Sequence, residues 1–138
     1  MSQLDEFNQG VIKEFRANQG KVGGQMAGMP VLLLTTIGAK SGRSLTRPLC
    51  YTRDGDRIVV IASFAGAPHS PPWYHNLVAN PVATVELGAD SYKVRATVAP
   101  ASERQRLYDQ QAQQMPIFAD YQKKTARQIP VVLLTRVD

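Results

Sequence analysis

The chain has 138 residues, 43% of them hydrophobic and 20% charged, which describes one ordinary globular domain and excludes a disordered, fibrous or membrane-spanning polypeptide. A formal net charge of +5 favours an anionic partner, but the cations are scattered without a run of five like charges, so nucleic acid is not indicated. The single cysteine, Cys50, permits no internal disulfide; Met1-Ser2-Gln3-Leu4-Asp5-Glu6 lacks the basic-then-apolar order of a signal peptide, no apolar run approaches the ~20 residues of a membrane span, and a reducing cytoplasm is the expected compartment.

Leu4, Phe7, Val11, Ile12 and Phe15 recur at helical spacing and predict an amphipathic helix over residues 3–17, ending before Asn18-Gln19-Gly20. Its polar face mixes Asp5, Glu6 and Glu14 with Lys13 and Arg16, so packing on the domain is favoured, with peripheral membrane contact as the alternative. Gly20, Gly23, Gly24 and Gly28 then form a connector to Pro30, read as a linker rather than a mobile flap. This divides the chain into an N-terminal helix and connector, residues 1–29, and a main body, residues 30–138, large enough to bind a cofactor.

Val31 to Ile37 reads as a buried strand. The following Gly38-Ala39-Lys40-Ser41-Gly42-Arg43-Ser44-Leu45-Thr46-Arg47-Pro48-Leu49 sets a glycine-bracketed turn and three cations between two apolar runs. Glycine can turn backbone N–H groups toward an anion, Lys40, Arg43 and Arg47 neutralise its charge, and Ser41 offers a further hydrogen bond. The pattern is neither a P-loop nor a dinucleotide fingerprint, and a plain β-turn with solvated cations remains the alternative. Leu45 to Arg53 and Arg57 to Ala62 read as strands joined across Asp54-Gly55-Asp56, and Cys50, between Leu49 and Tyr51, as a strand position in the core.

A Gly- and Pro-rich loop from Ser63 to Pro72 precedes a short helix from Trp73 to Ala79, stopped at Asn80-Pro81. The loop is rigid and poor in side chains, so a planar ligand can lie against its backbone at Gly66, Ala67 and Pro68, with Ser63 or the following N–H groups bonding ring carbonyls. The alternative is a surface loop whose Trp73 and Tyr74 plug the barrel end. His69 and His75 have no clustered Cys or acidic neighbours, so no metal is expected, and neither Ser41 nor Ser63 lies in a G-x-S-x-G nucleophile turn.

Val82 to Leu87 and Ser91 to Ala99 form a second hairpin across Gly88-Ala89-Asp90. A polar helix from Ala101 to Gln114, capped by Ser102, a short helix from Phe118 to Thr125 and a strand from Val131 to Thr135 complete the chain. Tyr121 is the candidate acid, since a phenol of pKa near ~10 stays protonated at neutral pH and can donate to a developing anion. Alternatively, Phe118 and Tyr121 are the buried stripe of their helix. The fold expected is α+β, a small barrel of about six mostly antiparallel strands with peripheral helices.

Three spaced motifs, taken together, resemble one family. They are Thr36-Ile37-Gly38 with Lys40-Ser41-Gly42 and Pro48-Leu49; Gly66-Ala67-Pro68 with Trp73-Tyr74-His75-Asn76-Leu77 and Ala79-Asn80-Pro81; and Asp120-Tyr121-Gln122 with Thr125 and Ile129-Pro130-Val131. Over residues 30–138 the chain is similar to the deazaflavin-dependent nitroreductases, the F420H2-dependent reductases of actinobacteria, whose fold is a split β-barrel like that of FMN-binding proteins. The resemblance implies reduced coenzyme F420 as cofactor. It assigns the anionic tail to Lys40, Ser41, Gly42, Arg43, Arg47 and Pro48, the ring to Ser63, Gly66, Ala67 and Pro68 with Trp73 and Asn76 beside them, and the substrate side to Phe118 and Tyr121. The implied reaction passes a hydride to a small electron-poor acceptor, such as a quinone, an enone or a nitroaromatic. Leu45 and Ala39 stand where the family often carries cations, and Arg47, on the strand face of Leu45, is placed to replace one. FMN in the same groove, and a non-catalytic protein holding F420, lipid or haem, are the alternatives, and a homodimer is compatible with the fold.

Overall fold

The computed structural model describes residues 3–23 and 29–137; Gly24 and Gly28 of the connector, and the side chains of Leu4 and Asp5, lie outside the described residues. The elements are α1 (Gln3–Ala17), β1 (Val31–Ile37), β2 (Ser44–Cys50), β3 (Thr52–Asp54), β4 (Arg57–Ile61), a 3₁₀ turn (Phe64–Gly66), α2 (Pro72–Ala79), β5 (Val82–Leu87), β6 (Asp90–Val98), α3 (Ala101–Gln114), α4 (Ile117–Lys123) and β7 (Val131–Arg136).

One seven-stranded sheet runs in the order β2-β1-β5-β6-β7-β4-β3, with every adjacent pair antiparallel. The strand expected over 45–53 is therefore two strands. It breaks at Tyr51, whose N–H donates to Pro30 O at 3.2 Å, and the chain crosses there from one edge of the sheet to the other. Because β2 and β3 are joined by Tyr51 alone yet lie at opposite edges, the sheet must curl until those edges approach. The result is a split β-barrel.

The most apolar strands are buried on both faces. Leu32 and Leu34 of β1, Ile58 and Val60 of β4, and Val132 and Leu134 of β7 point into the barrel, where they meet Trp73 and Leu77 of α2. Their alternates point outward: Val31 and Leu33 pack under Ile12 and Phe15 of α1, while Val59, Ile61, Val131 and Leu133 pack under Leu107, Tyr108 and Phe118 of α3 and α4. Period-2 geometry thus turns an unbroken apolar run into two packed faces. Part of the apolar stripe of α1 is accordingly used in the core, although Phe7 remains 42% exposed. Arg16 further ties α1 to β5 through Glu86, donating from Nε at 3.0 Å and Nη2 at 2.9 Å.

Both expected hairpins form, but each turn is one residue tighter than expected, because Asp54 pairs with Arg57 and Leu87 with Asp90; Gly55 and Gly88 each stand at φ +62°. Ser102 does not cap α3: Pro100 is the N-cap residue and no side chain caps the helix, because Ser102 already lies inside the first turn. Nor is Cys50 a core residue. Lying at the end of the edge strand β2, it is only half-buried.

Candidate active site

A cavity of about 400 Å³ opens where the barrel splits. Leu45, Arg47, Pro48, Leu49 and Cys50 of β2 form one wall; Ile61, Ser63, Phe64 and Ala67 form another, from the end of β4 and the loop after it. Pro71, Pro72 and Trp73 close the cavity at the start of α2, Phe118 and Tyr121 face it from α4, and Asn8 reaches it from α1. The walls are chiefly apolar, Arg47 is the one charged side chain among the described lining residues, and a volume of this size suits a single small-molecule ligand.

Tyr121 meets Phe118 edge to face, their centroids 5.4 Å apart at 83°, and Lys124 Nζ lies 5.8 Å from its ring centre. Burial pushes the Tyr121 phenol above its ordinary pKa, which moves it further from ionisation, and a phenol is already a neutral donor at physiological pH. Burial pushes the Cys50 thiol up as well. Negative charge on Cys50 would further disfavour the phenolate. Phe118 and Tyr121 are both the stripe of α4 and the wall of the cavity, so the two readings of this pair were never exclusive.

Arg47, Pro48, Ser63, Ala67, Trp73, Phe118 and Tyr121 are thus brought together. Trp73 serves twice, being 4% exposed within the barrel core and presenting part of its surface to the cavity. The exposed hairpin that carries Lys40, Ser41, Gly42 and Arg43 lies outside the cavity lining, and it uses its own backbone donors. Gly38 N–H donates to Arg43 O at 2.7 Å, Gly42 N–H to Gly38 O at 3.1 Å, and Arg43 N–H to Ser41 Oγ at 3.2 Å. Any anion there meets side-chain cations rather than these amides. Gly42 is needed for its φ of +70°.

Three further expected contact residues lie outside the cavity lining. Asn76 is 7% exposed and engaged inside the protein: its Nδ2 donates to Thr36 Oγ1 at 3.0 Å and its Oδ1 accepts from Ala39 N–H at 3.0 Å. It therefore fastens α2 to β1 and to the cationic hairpin. Gly66, at φ +81°, is buried and packs against the end of α4; a Cβ there would lie 2.9 Å from Tyr121 O and from Lys124 Cβ. Pro68 is exposed and outside the lining.

Asn8, Leu49, Cys50, Ile61, Phe64, Pro71 and Pro72 also line the cavity. Leu49 could have been found from its period-2 relation to Leu45 and Arg47; Asn8 carries no local signal at all. Among the described residues no group of three or more His, Cys, Asp or Glu is placed to hold a metal ion, and no helix is long and apolar enough to cross a membrane.

A family model described as F420H2-dependent quinone reductase matches residues 9–136. The chain belongs to the F420H2-dependent quinone reductase family. It is 40% identical over 129 residues to an F420H2-dependent quinone reductase of Mycobacterium tuberculosis strain H37Rv, covering 88% of this chain and 85% of the relative. Among solved structures it is similar to an F420-H2 dependent reductase at 35% identity and TM-score 0.70, covering 76% of this chain and 93% of that one. It is likewise similar to a chain described as a domain-swapped dimer, at 30% identity and TM-score 0.72 over 96% and 99% of the two chains. Within this quinone reductase fold, the cavity lies along β2, the strand that the break at Tyr51 leaves paired on one side only.

Proposed function

We propose that this member of the family reduces quinones with a hydride from reduced F420 bound in the cavity. The observation that carries the reading is one slot of about 400 Å³ in which apolar walls, a single arginine and a neutral phenol converge. Those walls suit a flat aromatic ring: Ala67 and Pro71 leave room against the loop, and Trp73, Leu49 and Ile61 supply nonpolar surface. Arg47 suits an anionic tail leaving the slot, with Lys40 and Arg43 on the hairpin farther along it. The cofactor-binding unit in this reading is residues 30–138, with α1 contributing Asn8 from the N-terminal segment.

When bound, the reduced deazaflavin supplies a hydride from C5. The chain supplies orientation and charge stabilisation. Phe118, Trp73 and Leu49 hold the acceptor against the ring and exclude water. Hydride arrival leaves an oxyanion on the quinone, and the Tyr121 O–H donates to that oxygen and passes it a proton, which solvent then returns to the phenolate. Arg47 and the hairpin cations bind the cofactor without entering the proton transfer.

Fluorescence titration with F420 and FMN, followed by menadione reduction, tests this reading. F420 binds more tightly than FMN and supports turnover, and Lys40→Ala and Arg47→Ala each weaken F420 by roughly 10- to 100-fold, as lost charge-assisted hydrogen bonds do. Tighter FMN binding with FMN-supported turnover makes the protein a flavin oxidoreductase instead; binding without turnover makes it a carrier. The reading further takes the protein to be cytoplasmic and a homodimer. The dimer is supported by the resemblance to a domain-swapped dimer and by exposed Val78 of α2, Val82 of β5 and Val98 of β6, and sedimentation tests it.

A further inference from the structure

We propose that Arg127 is a positioning residue for the cofactor ring, acting through the peptide groups of the loop that follows β4. The inference rests on the cavity being the ring site. Arg127 Nε donates to Ala67 O at 2.9 Å, Nη2 to Ser63 O at 2.9 Å and Ala62 O at 3.2 Å, and Nη1 to Ser70 Oγ at 3.3 Å. All four acceptors are neutral oxygens, and all lie in residues 62–70. A guanidinium fork spread over three carbonyls and a hydroxyl fixes their directions as well as their distances, which a single ammonium cannot do.

The direction of those carbonyls has a consequence on the other side of the loop. The peptides here are trans, so each N–H points opposite to the carbonyl of its own plane. Holding Ala62 O and Ser63 O toward Arg127 turns the Ser63 and Phe64 N–H groups away from it, and Ser63 and Phe64 are residues that line the cavity. The cation behind the two peptides polarises them and strengthens both donors. Phe64 adds an independent observation: it holds φ +47°, a left-handed conformation that a bulky residue adopts only where its surroundings compel it. The grip of Arg127 on the Ser63 carbonyl, one peptide before Phe64, is such a restraint.

Arg127 is itself held from the acceptor side. Gln122, the residue after Tyr121, donates from Nε2 to Arg127 O at 2.8 Å, and its Oε1 accepts from Arg104 Nη2 and from Ile129 N–H. The ring loop and the helix bearing Phe118 and Tyr121 are therefore joined by one polar network, and ring position and phenol position are set together. Close packing of Gly66 on the Tyr121 carbonyl ties the same two segments a second time.

The test uses the full chain as wild type, Arg127→Lys, Arg127→Met and Ala67→Leu, titrated with F420 and with its tail-less deazaflavin nucleoside. Melting temperature, the absorption spectrum of the bound chromophore and single-turnover oxidation by menadione are read on each. Arg127→Met should weaken both ligands by the same factor, roughly 10- to 100-fold for two impaired hydrogen bonds, shift the bound spectrum and slow the single turnover. Arg127→Lys keeps the charge and loses the fork, and should show the same changes to a smaller degree; it carries the test if Arg127→Met does not fold. Lower melting temperatures with unchanged affinities, spectra and rates would reduce Arg127 to a structural tie and overturn the proposal. Ala67→Leu fills the cavity and should abolish binding of both ligands. Wild-type binding by Ala67→Leu overturns the ring site and this proposal with it, whereas a defective Ala67→Leu beside normal Arg127 variants overturns the proposal alone.

Discussion

Asn76→Ala separates a residue that shapes the site from one that touches the ligand. The side chain is 7% exposed and makes two hydrogen bonds of 3.0 Å, one to Thr36 Oγ1 and one from Ala39 N–H. Their loss is unequal. Ala39 is exposed and water replaces its partner, so that bond accounts for about 1 kcal/mol, whereas Thr36 is fully buried and its stranded hydroxyl costs about 1–3 kcal/mol. The sum is about 2–4 kcal/mol, which for a chain of this length lowers the melting temperature by roughly 6–20 °C. Calorimetry or chemical denaturation measures it. Ligand binding supplies the second half of the test, because loosening the hairpin at 38–43 should weaken F420 but leave the tail-less deazaflavin nucleoside unaffected. A melting temperature within about 2 °C of wild type would refute the bracing argument. A folded variant that no longer binds the tail-less nucleoside would return Asn76 to the ring site.

Tyr121→Phe keeps the edge-on contact with Phe118 and removes only the hydroxyl, so F420 affinity should hold while single-turnover oxidation by menadione slows by roughly 10- to 1,000-fold. Equal rates would leave solvent as the proton source. Cys50, its pKa raised by burial, should react slowly with iodoacetamide at neutral pH, and bound F420 should slow the reaction further because the thiol lines the cavity. Alkylation as fast as that of a free thiol, with or without F420, would contradict this placement. Stability should also fall in alkali. Both Cys50 and Tyr121 have folded pKa values raised above the unfolded ones, so their contribution is complete below about pH 9 and lost as pH rises through the folded values. Cys50→Ala should remove the first part of that decline, and a denaturation midpoint flat to pH 11 in the wild type would be the contrary result.

Local chemistry was legible in the chain itself. The span of α1, the places of the hairpins at Gly55 and Gly88, the stop of α2 at Asn80-Pro81 and the antiparallel character of the sheet all follow from neighbours within a few residues. So did the grouping of Arg47, Ser63, Ala67, Trp73, Phe118 and Tyr121, although only because three separated motifs together resembled one family. What tertiary structure alone decided is which partner each polar or small residue serves. Asn76, Gly66 and Ser41 have the chemistry of ligand contacts, yet Asn76 bonds Thr36 and Ala39, Gly66 admits α4, and Ser41 folds back into its own turn. The break at Tyr51 has no local breaker residue and arises because the two halves of one β run pair with different strands. Asn8 reaches the cavity, and Arg127 the loop at 62–70, only after the barrel closes. A hydrogen-bond donor or an open backbone looks the same in sequence whether a ligand or a distant segment fills it, and only chain closure chooses between them.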